Sequence, residues 1–342
     1  MKRRGRGMAS SWYGIARTAT IDRAGAWVEL DDGGTAKVMV GVTEVGEGIL
    51  TALTQIAASE LGICPKDVTM GDNDTARVPE AAHAGATRQM YMCGNAVAVA
   101  CRDARERFDR EIQSHWNVKG RLEAASGRIW STERPDLEMT MSEAVDICKR
   151  RGVVPVGSGS FAAHHAPLDP ETGKGSPWQA YVFGTQIAEV EVDTETGAVE
   201  VLKVVAAHDV GRAVNPQGVR GQIEGGIVMG LGYALMEEFE LKDGMPKTVG
   251  FSKYILPTSL DVPEVVPVII EDPDPLGPLG VKGIGEPSTL ATAPAIVNAI
   301  YDAVGVRITT LPATPERVLA ALRDKDAANV AEASRGGDVS QF

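Results

Sequence analysis

Two stretches of the chain alternate apolar and polar residues on either side of a glycine-containing turn. The first, AWVELDDGGTAKVMVG (26–41), turns at Asp32-Gly33-Gly34, and the second, QIAEVEVDTETGAVEVLKVVAAHDVG (186–211), turns between Thr194 and Gly197. Alternation with period two is typical of a half-buried strand, and glycine supplies the positive φ that a tight turn needs. Each stretch therefore predicts an antiparallel hairpin.

A stretch with helical spacing follows each hairpin. In ILTALTQIAASELG the apolar residues Leu50, Leu53, Ile56 and Leu61 recur every three or four positions, and Gly62 marks the end. VRGQIEGGIVMGLGYALMEEF (219–239) follows the second hairpin in the same way. Two further helices are predicted at about 94–108 and 142–150.

The repeated strand–strand–helix units predict an α+β fold with two similar lobes. Strands that come in adjacent hairpins do not alternate with helices, as a doubly wound parallel sheet would require. The loop 155–178 is rich in Gly, Ser and Pro, so it is the expected boundary between a first lobe at 1–155 and a second at 156–325. The polar stretch 326–342 is interpreted as a mobile tail.

Composition excludes several classes of partner. The net charge of -12 over 342 residues, without a basic stripe, argues against nucleic acid. No run approaches the roughly 18 apolar residues of a membrane helix, and MKRRGRG is not followed by the apolar stretch of a signal peptide. The sequence also lacks GxxxxGK[ST] and GxGxxG. A cytoplasmic protein with a small-molecule substrate is the expectation.

The cysteines and histidines give little sign of a metal site. Cys64, Cys93, Cys101 and Cys148 show no CxxC spacing, and they are interpreted as buried or half-buried thiols in a reducing cytoplasm. The adjacent pair His164-His165 is interpreted as part of a polar loop, because sequence neighbours rarely converge on one metal.

Three stretches place glycines tightly around a polar side chain next to a predicted helix: VGEG (45–48), RGQIEGG (220–226) and KGIGEPS (282–288). The ordinary explanation is a turn in which glycine adopts positive φ beside a helix N-terminus. Three together favour a second explanation, because glycine lets the backbone approach a ligand closely and helix N-termini bind anions. In HAGATRQMYMCGNAV, Arg88 and Gln89 are either solvated or form a polar clamp on an anionic cofactor.

These motifs resemble the xanthine dehydrogenase family of molybdenum hydroxylases. GVTEVGEG, GATRQMYMCGNAV, the run from AEVEVD to LMEE and, above all, GVKGIGEPSTLATAPAIVNAIYDAVG follow the family order from Arg3 to about Leu322. The resemblance is to the C-terminal half of the molybdopterin-binding large subunit, in the split form of the nicotinate dehydrogenase medium subunit. It implies partners: an N-terminal-half molybdopterin subunit, a subunit with a 2Fe–2S cluster and a subunit with FAD.

The resemblance also implies site residues and a cofactor. Glu286, in the GEP motif, would be the catalytic base that takes a proton from a molybdenum-held hydroxyl, whose oxygen then attacks an electron-poor carbon. The cofactor would be molybdenum-molybdopterin, and a bacterial source would favour its cytosine dinucleotide form. The cofactor-binding residues would be Gly46, Glu47, Gly48, Ala86, Thr87, Arg88, Gln89 and Gln222. No residue would be a direct metal ligand, because the pterin dithiolene holds the molybdenum.

Glu47 departs from the family pattern, in which most members have Gln between the two glycines and use its amide as a donor. An ionised carboxylate has no proton to donate. Either Glu47 is protonated, or the local geometry differs, or the site takes a different ligand set or substrate.

Three functions remain open from the sequence. The first is the molybdopterin-binding subunit of a hydroxylase that acts on an N-heteroaromatic ring such as nicotinate or a purine, or on an aldehyde. The second is a non-catalytic scaffold of such a complex. The third, ranked lowest, is a metal-free hydrolase that uses Glu47 and Glu286 as paired carboxylates.

Overall fold

The computed structural model describes residues 1–17, 21–163, 166 and 168–336. The predicted polar loop at His164-His165 therefore lies outside the described residues. The strands are β1 (Lys2–Gly14), β2 (Arg23–Leu30), β3 (Ala36–Met39), β4 (Val68–Met70), β5 (Leu122–Ala125), β6 (Arg128–Ser131), β7 (Glu138–Thr140), β8 (Val156–Ala162), β9 (Tyr181–Asp193), β10 (Val199–Asp209), β11 (Leu241–Lys242), β12 (Met245–Pro246) and β13 (Glu264–Ile270).

The helices mostly follow the predicted segments. They are α1 (Ile49–Leu61), α2 (Gln89–Trp116), α3 (Met141–Arg150), α4 (Pro216–Leu235), α5 (Pro287–Leu290), α6 (Thr292–Val304) and α7 (Pro315–Gly336), with 3-10 turns at Pro65–Asp67 and Pro278–Gly280. Gly62 ends α1 in the left-handed region, at φ 74°, and its N–H donates to Ala58 O. α3 begins with a capping box between Thr140 and Glu143. Helix α7 continues through Gly336, so the first part of the segment interpreted as a mobile tail is helical.

Two four-stranded sheets share one pattern, which confirms the α+β prediction and both hairpins. The strand order is β8-β2-β3-β4 in the first and β1-β9-β10-β13 in the second. In each sheet a hairpin pairs with an antiparallel strand on one side and a parallel strand on the other. Helices α1 and α2 pack with the first sheet, and α4 and α6 with the second. Each sheet has its own hydrophobic core.

Edge strands cross the predicted division at residue 155 in both directions. Strand β1 starts the chain but pairs with β9 in the second sheet, whereas β8 follows residue 155 but pairs with β2 in the first. The alternation of apolar residues fixes which face of a strand is buried, not which distant strand it pairs with. The placement of the boundary between lobes at 155 stays a prediction.

Both edge strands carry a Gly-x-Gly that lets a helix approach closely. A Cβ added to Gly7 of β1 would lie 2.1 Å from the Ala299 nitrogen of α6, and one added to Gly159 of β8 would lie 2.1 Å from the Ala96 oxygen of α2. Such distances leave no room for any side chain. The two halves of the chain therefore share a packing device as well as a strand order.

Candidate functional site

A cavity of about 590 Å³ lies between the helices of the two sheets. Four segments line it: 45–52, 84–90, 210–229 and 281–289. The structure brings most of the predicted site residues to this one cavity, whose lining includes Glu47, Gly48, Thr87, Arg88, Gln89, Gln222 and Glu286. Gly46 and Ala86 are not among the lining residues, but each is the direct neighbour of one that is.

Glu286 is held by the segment that precedes α2. Its Oε1 accepts a hydrogen bond from the Ala86 N–H at 3.0 Å, and its Oε2 accepts one from the Thr87 hydroxyl. Gly283 permits this approach, because a Cβ at that position would lie 2.2 Å from Thr87 Cγ2. Two donors on an anionic carboxylate fix its direction as well as its position.

The donors to Glu286 are presented by an unusual backbone. Ala86 and Thr87 both lie in the left-handed region, with φ of 54° and 51°. For a residue with a Cβ this costs about 1–2 kcal/mol, and such strain is concentrated at functional sites. This left-handed backbone conformation directs the Ala86 N–H and the Thr87 side chain toward the Glu286 carboxylate.

Tyr13, at the end of β1, is a third partner of Glu286 that sequence reasoning missed. Its hydroxyl lies near the side chains of Glu286 and Thr87, and both affect its pKa. Burial and the negative charge of Glu286 raise the pKa of Tyr13 to about 12, so the phenol stays a donor near neutral pH. Nothing in the local sequence signals this role, since 273 positions separate Tyr13 from Glu286.

A buried ion pair links the turn that carries Glu286 to the end of β10. The Lys282 ammonium lies 2.5 Å from Asp209 Oδ2, with both side chains less than a tenth exposed. The Lys282 N–H also donates to Val210 O. The buried ion pair and the backbone hydrogen bond beside it together orient the segment that leads to Glu286.

The predicted glycine turn carries two carboxylates with opposite behaviour. Glu44 Oε1 accepts from the N–H groups of Gly46 and Gly48, and its Oε2 accepts from Leu50 N–H. Burial acts to raise the pKa of Glu44, but these N–H donors lower it overall. Burial raises the pKa of Glu47, and its neighbour Glu44 raises it further.

One oxygen of Glu47 has no partner. Its Oε2 accepts from Val45 N–H at 2.8 Å, whereas Oε1 is buried and unpartnered within the described part of the chain. A buried polar atom left unpaired costs about 1–3 kcal/mol. With Gly46 and Gly48 at φ 102° and 86°, the turn places Glu47 in the cavity lining, with its carboxyl group beside that of Glu44.

The two later glycine stretches use glycine for close approach, not for positive φ as the simpler explanation required. RGQIEGG lies inside α4, which begins earlier, at Pro216. A Cβ at Gly226 would lie 2.0 Å from Ser288 Oγ, whereas at Gly225 and Gly285, which both line the cavity, it would meet open space. Glycine thus packs α4 against α5 and widens the cavity.

Arg88 does not form the predicted polar clamp. Its side chain is fully buried, and its Nε and Nη2 bind Asp22, which is also fully buried. The remaining N–H groups donate to the backbone carbonyls of Ala81, His83 and Arg23. All N–H groups of the guanidinium therefore bind within the protein, where they stabilise the loop before α2, and none is left to donate to a cofactor. The sequence offered no sign of Asp22 as its partner.

Other polar groups remain available at the cavity. Gln89 donates from Nε2 to Thr43 O, which links α2 to the glycine turn. Gln222, on α4, lines the cavity as predicted. Arg212 is a cation that sequence reasoning missed: it lines the cavity, is exposed, and makes no side-chain hydrogen bond or ion pair with the described residues. Its position just before the Asn215 cap of α4 was the available signal.

Helix N-termini converge on the cavity. Its lining includes the first residues of α1 and α2 and the first two turns of α4. Asn215 caps α4 by accepting from Gly218 N–H. At α1 the Glu44 carboxylate already accepts from the Gly48 and Leu50 N–H groups. At α2 and α4 the positive end of the helix dipole favours an anion from outside the chain. The arrangement suits a ligand with phosphate groups.

The remaining titratable groups give no further centre in the described ranges. Cys93, Cys101 and Cys148 are buried and Cys64 is half-buried, all as free thiols, as predicted. Burial raises the pKa of Cys93 to about 12 and that of Cys148 to about 11. Residues 1–17, 21–163, 166 and 168–336 contain no group of three His, Cys, Asp or Glu side chains that could hold a metal ion. No helix in these ranges is long and apolar enough to cross a membrane.

Comparison with known proteins identifies the family of this chain. Residues 1–263 match the family model of the molybdopterin cofactor-binding domain. The chain is 33% identical to a probable xanthine dehydrogenase subunit of Bacillus subtilis (strain 168), over 94% of this chain and 42% of that protein. It is 30% identical to the gamma subunit of the 6-hydroxypseudooxynicotine dehydrogenase complex of Paenarthrobacter nicotinovorans, over 89% of this chain and 39% of that subunit.

Solved structures show the same fold. The aldehyde oxidoreductase of Desulfovibrio gigas superposes with a TM-score of 0.81 at 29% identity, over 94% of this chain and 33% of that one. Quinoline 2-oxidoreductase of Pseudomonas putida 86 superposes with a TM-score of 0.84 at 27% identity, over 94% of this chain and 42% of that one. The chain spans less than half the length of these relatives. It belongs to the molybdopterin cofactor-binding domain family, as a relative of xanthine dehydrogenase and aldehyde oxidoreductase subunits.

Proposed function

We propose that this chain forms one wall of the molybdopterin site in a heteromeric molybdenum hydroxylase, with Glu286 as the catalytic base. The observation that carries the proposal is the fixed carboxylate of Glu286 at a cavity where a second carboxyl oxygen, Glu47 Oε1, is buried without a partner. The substrate class we propose is an N-heteroaromatic ring, such as nicotinate or a purine, or an aldehyde.

The residues present fit the cofactor. Convergent helix N-termini and Arg212 supply donors and positive charge for its phosphates, in the cytosine dinucleotide form or the simpler one. The space at Gly48, Gly225 and Gly285 leaves room for a bulky ring system. Gln222, Gln89 and the backbone of 86–88 would hold the pterin. No side chain is proposed as a direct ligand, because the dithiolene of the cofactor would hold the molybdenum.

The chain's own contribution is the handling of protons. The bound cofactor would supply the two-electron oxidant and the activated water. Glu286, held by Ala86 and Thr87 and close to Tyr13, would accept a proton from that water as substrate is attacked. Positioned bases typically contribute a factor of about 10²–10⁴ to rate. Glu47 in its protonated form would donate a hydrogen bond at the cavity, the role that the family resemblance gives to an amide at this position.

Partners are proposed from uncovered apolar surface. On one face of the second sheet, Met8 and Trp12 of β1 are 60% and 72% exposed, and Phe183 of β9 is 53% exposed. In the connection between α4 and β13, Phe251 and Leu260 are 79% and 95% exposed. Large apolar side chains left this exposed are typical of protein interfaces. The occupant we propose is the N-terminal-half molybdopterin subunit, with 2Fe–2S and FAD subunits in the same cytoplasmic complex.

Glu286→Gln tests the catalytic assignment. Expressed with its partner subunits, this variant should keep its molybdenum and pterin content and lose turnover by at least about 10²-fold, because the amide cannot accept the proton. Retention of activity within a factor of about ten would remove Glu286 as the base. Absence of molybdenum from the unaltered complex after growth with ample molybdate would favour the non-catalytic scaffold instead.

Expression of the chain alone tests the partner proposal. We expect an isolated chain that binds molybdopterin poorly and self-associates through its exposed apolar surface. A monodisperse, molybdenum-loaded and active single chain would refute both the interface and the split site. Hydrolytic activity of the single chain without any metal would instead support the third function, a hydrolase with Glu47 and Glu286 as paired carboxylates.

A further inference from the structure

The turn that carries Glu286 rests on a buried side chain from the second sheet. Gln186, on β9, is fully buried, and its Nε2 donates to the Ser288 carbonyl at 2.6 Å. Its Oε1 accepts from the Thr292 hydroxyl, also at 2.6 Å. The Ser288 hydroxyl in turn donates to Gly285 O. These bonds fix the backbone on both sides of Glu286.

His208, on β10, completes the environment of Gln186. Its Nε2 lies 3.1 Å from Gln186 Nε2. Because an amide nitrogen only donates, the ring nitrogen accepts, and the ring carries its proton on Nδ1. Burial lowers the pKa of His208 to about 4, which keeps this accepting form at neutral pH. The structure makes room for the ring at Gly184, where a Cβ would lie 2.4 Å from Nδ1.

The orientation of the Gln186 amide is determined by its partners. If the amide were flipped, its oxygen would face the Ser288 carbonyl oxygen, and two acceptors would be buried against each other. In the observed orientation the two N–H groups and the oxygen each have a partner. One N–H of the Gln186 amide donates to His208 Nε2, which leaves the other N–H directed at the Ser288 carbonyl. The amide of Gln186 is thus fully paired, which specifies one orientation for it, whereas His208 Nδ1 is buried without a partner among the described residues.

We propose that Gln186 and His208 are positioning residues for Glu286, which hold the Ser288 carbonyl and so keep the carboxylate on the Ala86 N–H and the Thr87 hydroxyl. Neither residue lines the cavity. The effect on catalysis rests on the proposed role of Glu286 as the base. The effect on geometry does not, because the contact between Glu286 and the 86–87 backbone can be measured without the cofactor.

Three variants of the assembled complex test the proposal kinetically. His208→Leu removes the acceptor, and His208→Gln keeps an acceptor of similar reach. Ser131→Ala is the matched control, because Ser131 is equally buried and hydrogen-bonded but lies in the small β5-β6-β7 sheet. We expect His208→Leu to lower kcat about 10- to 100-fold with little change in KM or molybdenum content, since small misplacements of a reacting group have costs of this order. His208→Gln should restore most of the rate.

Hydrogen exchange of the peptide 84–89 supplies a readout that does not depend on turnover. The Ala86 N–H is protected by Glu286, so its exchange should be faster in His208→Leu and unchanged in His208→Gln and Ser131→Ala. Equal losses of kcat in His208→Leu and Ser131→Ala, or unchanged exchange at 84–89 in His208→Leu, would overturn the proposal. If His208→Leu does not fold, Thr292→Val replaces it, as it removes only the donor to Gln186 Oε1. If Glu286→Gln remains active, the base assignment fails, while the exchange result still decides the positioning.

Discussion

The variant Arg88→Met distinguishes two roles for Arg88: a clamp on an anionic cofactor, and a structural ion pair with Asp22. The guanidinium makes a buried pair with Asp22 at 2.7 Å and donates to three backbone carbonyls. Arg88→Met would leave the Asp22 carboxylate, with no exposed surface of its own, without its cation. Its remaining partner is the Arg17 N–H.

The expected cost follows from this burial. Removal of one member of a buried ion pair destabilises a protein by about 3–5 kcal/mol. A chain of this length loses about 2 °C of melting temperature per kcal/mol, so the midpoint should fall by about 6–10 °C. The double variant Asp22→Asn/Arg88→Met should recover part of this loss, because it leaves no unpaired charge. Thermal unfolding followed by circular dichroism measures all three proteins.

Arg212→Met is the matched control. Arg212 also lines the cavity but is exposed, and it makes no ion pair with the described residues. Its replacement should change the free energy of unfolding by less than about 0.5 kcal/mol and should lower cofactor retention in the complex. If Arg88→Met instead melted within about 2 °C of the unaltered protein and lost its cofactor, the clamp interpretation would be correct and the structural role would be refuted.

Two further predictions concern pH. Because burial raises the pKa of Glu47, its protonated, donating form is lost as pH rises through that pKa, so activity should fall over the same pH range. Glu47→Gln, a permanent donor, should extend the pH–rate profile upward; abolished turnover at every pH with normal cofactor content would contradict this placement. His208 has a folded pKa of about 4 against an ordinary value of 6.5, so the unfolded chain binds the extra proton between these values. Stability should therefore be complete above about pH 6.5 and decline toward pH 4, by at most about 1.4 kcal/mol per pH unit. His208→Gln should flatten this decline in urea unfolding curves, and an unchanged slope would show that His208 is not the titrating group.

The sequence alone determined the local elements of this protein. Alternation around Asp32–Gly34 and Thr194–Gly197 specified two hairpins, and spacing plus Gly62 specified α1, because these patterns depend on residues close in the chain. The α+β class and the similarity of the halves followed from the order of these elements. The motif residues Glu47, Gln89, Gln222 and Glu286 were also located, since each belongs to a short segment recognisable by itself, and the fold brings all four to one cavity.

Only the tertiary structure decided how those segments meet. The exchange of β1 and β8 between the sheets joins strands far apart in the chain, and no local pattern encodes such pairing. The burial of Arg88 on Asp22, the contact of Tyr13 with Glu286 and the support of the Glu286 turn by Gln186 and His208 likewise link distant positions. The physical reason is common to all: a polar side chain takes its role from the partner that it meets and from how much water remains there, and both are set by packing.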